Sequence, residues 1–161
     1  MKLSDDQIKS FKELGYVFIE NVFDVAEVKK MNDELPRLYN LDREEIQKEK
    51  DGKAIRTVFA AHKFSDIYSD LSRHPRIVKP AMQLLGGDLY IHQFKINAKE
   101  AFDGDLWQWH QDFGTWHRDD AMPEPLAMNL AVYLDEVNEF NGPLYLIPKS
   151  ICSVKFNLPD L

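Results

Sequence analysis

The segment Trp107-Gln108-Trp109-His110-Gln111-Asp112-Phe113-Gly114-Thr115-Trp116-His117 sets a histidine and a carboxylate two residues apart among indole rings. On an extended strand, residues i and i+2 point to one face, so the His110 imidazole and the Asp112 carboxylate can reach a common point. One nitrogen and one oxygen donor, completed by a distant second histidine, form the 2-His-1-carboxylate donor set of a non-haem Fe(II) centre. The pair alone is a weak signal. Asp and Glu make up 27 of 161 residues, so one such spacing beside a histidine arises by accident about as often as not.

The elements around the pair are read from capping and periodicity. Ser4-Asp5-Asp6-Gln7 is a capping box, followed by Ile8, Phe11 and Leu14 on one helical stripe and stopped by Gly15. Tyr16 to Ile19 predicts a short strand. Asp24 with Glu27 opens a second helix carrying Val25, Val28, Met31 and Leu35 before Pro36. Residues 41 to 55 are dominated by charge and contain the turn signal Asp51-Gly52, which predicts an exposed connection with little order. Ser65 to Arg73 and Pro75 to Leu85 predict two more helices, the second ended by Gly86-Gly87 and open to a kink at Pro80.

After Gly87 the pattern turns from helical to alternating. Tyr90, His92, Phe94 and Ile96 fall on one face of a strand, and Gln93, Lys95, Asn97 and Lys99 on the other. The ordinary reading puts the apolar face inward and the polar face in water. In a barrel with a polar interior the apolar face packs on flanking helices and the polar face lines the site. Leu126 to Leu134 predicts a second long strand, buried on both sides. Asn141-Gly142-Pro143 marks a turn, Leu144 to Ile147 a third strand, and Val154-Lys155-Phe156 a fourth.

Composition narrows the class. The length suits one packed domain, and no apolar run approaches the roughly 20 residues that span a bilayer. The acidic start Asp5-Asp6 is unlike a signal peptide, so a cytoplasmic location is expected. Cys152 is the only cysteine, which excludes an internal disulfide and a thiolate-rich zinc site. A net charge of −7 with scattered Lys and Arg argues against nucleic acid as a partner.

Four segments together resemble the phytanoyl-CoA dioxygenase family of Fe(II)/2-oxoglutarate oxygenases, and within it the ectoine hydroxylase branch. Arg56-Thr57-Val58-Phe59 is similar to its Arg-Ser-x-Phe element, and Tyr90-Ile91-His92-Gln93-Phe94-Lys95-Ile96-Asn97-Ala98-Lys99 to its Tyr-Ile-His-Gln-x-Arg-x-Asn-x-Lys strand. Trp109 to His117 resembles Trp-His-x-Asp-Phe-x-Thr-Trp-His, and Asn141-Gly142-Pro143-Leu144 the family's turn and strand. The likeness runs from about Gly15 to Ser150 in the family's order.

The resemblance implies a mostly β fold with flanking helices (α+β): a double-stranded β-helix, or jelly roll. Residues 1–161 would be one oxygenase domain, with 1–87 mainly helical and 88–161 the first half of the jelly roll. It makes His110 and Asp112 iron ligands and assigns Lys99, with Asn97 and Trp107, to 2-oxoglutarate. Gln93, Lys95 and Trp116 fall on the substrate side. The implied cofactors are Fe(II), 2-oxoglutarate as cosubstrate and O2, and the implied activity is hydroxylation of a small polar molecule such as an amino acid or derivative. Trp107, Trp109 and Trp116 would wall off water.

Read as residues alone, Trp107 and Trp109 serve equally well as core aromatics, Lys95 and Lys99 as solvated strand residues, and Gln93 as a backbone cap. His62, His74, His92 and His117 read as surface or packing residues. Lys95 departs from the branch's Arg, replacing a bidentate fork by a point charge. No histidine follows His117, so the second His ligand of the family pattern is absent and the chain reads as an incomplete piece of a longer enzyme. The alternative from another class is a catalytically silent relative that binds a partner; a homodimer is compatible with either reading.

Overall fold

The computed structural model describes residues 1–99 and 108–150. Helix α1 (Asp5–Leu14) begins at its capping box: the Ser4 hydroxyl accepts from the Gln7 backbone N–H at 3.2 Å, and the Gln7 side chain accepts from the Ser4 N–H at 2.9 Å. Gly15 ends it in the left-handed region, returning its N–H to the Phe11 carbonyl at 2.8 Å. Helix α2 (Val25–Tyr39) opens on the reciprocal Asp24–Glu27 box. It runs through Pro36, where the sequence predicts an end. Proline there forfeits one hydrogen bond in the last turn, while Leu38, fully buried, and Leu35 and Tyr39 keep that turn on the core.

A three-stranded antiparallel sheet in the order β1-β2-β3 packs beside these helices, built from β1 (Ile46–Lys48), β2 (Ile55–Phe59) and β3 (Lys95–Asn97). Ile46 pairs with Val58, and Thr57 with Asn97. Residues 41–55 are therefore not a loose connection. Asp51-Gly52 closes a hairpin, with Gly52 at φ +74 and the Glu49 N–H on the Ala54 carbonyl at 2.9 Å. The partner that orders β1 lies on β2, and the charges that suggested disorder sit on exposed positions such as Lys48.

Helices α3 (Asp66–Ser72) and α4 (Pro75–Leu85) fall where predicted, after a short 3-10 turn at Ala61–Lys63. Pro80 lies buried inside α4. Met31, Leu38, Val58, Ala61 and Tyr68 form the core, joined by Phe94, Ile96 and Leu134. The Tyr68 hydroxyl donates to the Met31 carbonyl at 3.0 Å, and burial raises its pKa well above the ordinary phenol value. Phe94 and Ile96 thus pack toward the helices, while Lys95, Asn97 and Lys99 are exposed.

Several predicted strands are absent among the described residues. Tyr16–Ile19 joins no ladder and Phe18 is 69% exposed. Leu126–Leu134 and Leu144–Ile147 are not strands either. Leu126, Leu130 and Tyr133 are exposed, contrary to the burial expected on both sides of that segment, and Leu144 to Ile147 are exposed as well. Alternation selects an extended segment, but a ladder needs a partner, and no described residue pairs with these. Leu134 is still fastened, its carbonyl accepting from the Asn32 amide at 2.9 Å. The turn near Asn141 is present, with the Asn141 side chain accepting from the Asn138 N–H at 2.8 Å and Gly142 at φ +78. The strand expected at 154–156 lies outside the described residues. No helix among the described residues is long and apolar enough to cross a membrane. The α+β content is helices with a small antiparallel sheet.

Candidate metal-binding active site

His110 and Asp112 do not lie on one continuous strand. Gln111 is extended at φ −112 and ψ 124, and Asp112 is the first residue of an unpredicted helix, α5 (Asp112–Asp119). An acidic residue in a first helical turn is favoured by the unsatisfied N–H groups there. Because Gln111 keeps the extended geometry, the side chains on either side of it still converge. His110 Nε2 faces Asp112 Oδ1 at 3.2 Å.

The proton on His110 is fixed by a neighbour. Nδ1 lies 2.7 Å from the Gln108 carbonyl, and since a carbonyl only accepts, Nδ1 carries the hydrogen. A protonated ring donates from Nε2 to that carboxylate oxygen; the neutral ring, the form that ligates a metal, aims a lone pair at it. Such an arrangement is relieved by a cation between the two. Adjacent ligands each about 2.1 Å from one ion, at right angles, would be about 3.0 Å apart, so the observed separation fits two positions on a metal. The Asn129 amide donates to the other oxygen, Asp112 Oδ2, leaving Oδ1 for the ion.

Asn129 was missed by sequence reasoning, although a signal existed: it is the one amide in the otherwise apolar run Leu126–Leu134. Two donors are brought together and a third is not. Among the described residues, no group of three or more His, Cys, Asp or Glu is placed to hold a metal.

The remaining candidates divide into two groups. On β3, Lys95 pairs with Phe59 and sets its ammonium 5.7 Å from that ring's centroid, while Asn97 accepts from the Thr57 hydroxyl at 3.2 Å. Gln93 is exposed just before β3. Lys99 continues the same face, its stem lying over Gly142: a Cβ there would collide with Lys99 Cδ and Cε and sit 2.7 Å from Nζ. Trp116, half-buried on α5, meets the His92 ring edge-on at 5.2 Å. No hydrogen bond or ion pair among the described residues links the Lys95–Lys99 face to the His110–Asp112 pair. Trp107 lies outside the described residues. Trp109 is 55% exposed and lies 6.5 Å from the Tyr145 ring.

The chain matches the family model described as phytanoyl-CoA dioxygenase (PhyH) over residues 11–152. An ectoine dioxygenase of Bordetella parapertussis is 40% identical over 152 residues, covering 92% of this chain and 49% of that protein. An L-proline trans-4-hydroxylase of Streptomyces griseoviridis is 38% identical over 136 residues, covering 84% and 51%. The crystal structure of EctD from S. alaskensis with 2-oxoglutarate and 5-hydroxyectoine superposes with a TM-score of 0.71 at 34% identity, covering 75% of this chain and 44% of that one. The same enzyme with bound Fe gives 0.65, covering 71% and 42%. The chain spans about half the length of the curated relatives it matches.

Proposed function

The chain belongs to the phytanoyl-CoA dioxygenase family, and on that premise we propose that the protein is an Fe(II)/2-oxoglutarate-dependent dioxygenase that hydroxylates a small polar substrate, an amino acid or a derivative of one. The observation that carries this is the His110–Asp112 pair, two donors 3.2 Å apart with the His110 tautomer set by Gln108. Relatives named for ectoine and L-proline chemistry support a substrate of that size and polarity.

Within this reading His110 and Asp112 hold Fe(II), and a third donor, which no described residue supplies, completes the set. When bound, Fe(II) supplies O2 activation coupled to decarboxylation of 2-oxoglutarate, one oxygen atom entering succinate and the other a substrate C–H bond. Asn129 orients the Asp112 carboxylate. Lys99 presents a point charge to a 2-oxoglutarate carboxylate, with Asn97 and Trp107 beside it. Gln93, Lys95 and Trp116 face the substrate. Residues 1–161 act as one oxygenase domain in a cytoplasmic protein, 88–161 contributing strands of a jelly roll; the likeness to EctD structures supports that architecture. The silent-relative alternative draws no support from the relatives, which are enzymes by name.

The test is succinate formation from 2-oxoglutarate with Fe(II), using ectoine and L-proline as probe substrates. Iron-dependent succinate that disappears in His110→Ala is expected. Equal succinate from that variant and the parent would exclude the mechanism.

A further inference from the structure

His92 is neither a ligand of the proposed centre nor part of the Lys95–Lys99 face, yet it connects the two elements that carry them. Its Nε2 lies 3.0 Å from Asp120 Oδ2, and because a carboxylate only accepts, Nε2 is the donor. The same ring meets Trp116 at 5.2 Å and 69°, the edge-to-face geometry in which the positive rim of one ring meets the negative face of the other. Tyr90 stands edge-on to His92 at 6.4 Å.

Asp120 is itself fixed where α5 ends. Its N–H donates to the Trp116 carbonyl at 3.0 Å, the Met122 N–H donates to the same carbonyl at 3.1 Å, and His117 Nδ1 donates to the Met122 carbonyl at 2.8 Å. One histidine, immediately before Gln93, therefore grips the carboxylate at the end of α5 and the indole one turn earlier. The first residue of that helix is Asp112.

We propose that His92 and Asp120 form a clasp that fixes the Trp116 indole, making His92 a positioning residue for substrate affinity. This rests on the reading of Trp116 as substrate-facing. His92 enters through its ring contact with Trp116 and one donated hydrogen bond, with no part in metal ligation or proton transfer.

The clasp is tested on the full chain by the indole ¹⁵N–¹H resonances, that of Trp116 assigned through Trp116→Phe. In His92→Ala and Asp120→Ala the Trp116 resonance moves and that of Trp109 does not, while Asp120→Asn, which keeps an acceptor, restores the parent position. With Fe(II), 2-oxoglutarate and L-proline or ectoine as probe, His92→Ala raises KM about three- to tenfold, the range for losing one edge-to-face pair, and leaves kcat within about twofold. An unmoved Trp116 resonance in His92→Ala overturns the clasp, with or without turnover. If the resonance moves but Trp116→Phe leaves KM unchanged, the clasp stands and the substrate-facing reading of Trp116 fails.

Discussion

Gly142→Ala separates the placement of Lys99 from the stability of the turn that carries it. Gly142 sits at φ +78, and so does Gly52 at +74, but nothing lies within 4 Å of a Cβ on Gly52, whereas one on Gly142 collides with the Lys99 stem. A left-handed conformation costs an L-residue about 1–2 kcal/mol, so both alanine variants lose stability by that amount in urea denaturation. Only the second meets a side chain. The atoms it strikes are the far end of a flexible lysine, which swings away at little further cost to folding but leaves its position over the turn. If that position serves a 2-oxoglutarate carboxylate, a charged hydrogen bond of about 1.5–3 kcal/mol is lost, or about 10- to 150-fold in affinity. Anaerobic calorimetry with Fe(II) and 2-oxoglutarate reads this directly: Gly52→Ala binds as the parent does and Gly142→Ala binds weakly. Parent-like binding by Gly142→Ala, alongside weakened binding by Lys99→Ala, would refute the claim that the glycine places the lysine. Parent-like binding by both would remove Lys99 from the cosubstrate site.

Three other outcomes are expected. Asn129→Ala frees Asp112 Oδ2 of its donor and lowers Fe(II) affinity about tenfold in a chelator competition; an unchanged affinity would mean the amide does not orient the ligand. Tyr68→Phe leaves the buried Met31 carbonyl without its donor and lowers unfolding free energy by about 1–2 kcal/mol, measured by urea denaturation; an unmoved midpoint would contradict the account of the core. His62 has its pKa lowered from 6.5, first by burial and then by Lys63, and its Nδ1 has no partner among the described residues. The unfolded chain therefore binds a proton below pH 6.5 that the folded chain resists, so stability declines as pH falls through that value. His62→Phe flattens that decline in pH-dependent urea melts, and an identical slope in both proteins would show that His62 does not cause it.

What the sequence made legible follows from how local each signal is. The Ser4–Gln7 and Asp24–Glu27 boxes, Pro75 at a helix start and Gly15 and Gly86 at helix ends satisfy backbone groups within four residues, and all fall where expected. Pro36 misled because tertiary packing of Leu38 outweighs one forfeited bond. Strands were the weak point. Ile46–Lys48 is ordered by Val58 and Thr57, while Leu126–Leu134 has a clean alternation and no described partner. In the candidate site, residue types announced the His110–Asp112 pair but not its backbone, a single extended residue entering a helix. The Asn129–Asp112 contact, the Lys99–Gly142 approach and the His92–Asp120 clasp join segments 17, 43 and 28 residues apart, which no local pattern encodes.

The most direct test of the account is the Fe(II) stoichiometry of the parent, His110→Ala and Asp112→Ala proteins by anaerobic equilibrium dialysis. One ion per parent chain is expected, lost in both variants, with all three proteins sharing one urea midpoint when metal-free. Iron retained equally by the variants would place the metal elsewhere and contradict the assignment of His110 and Asp112.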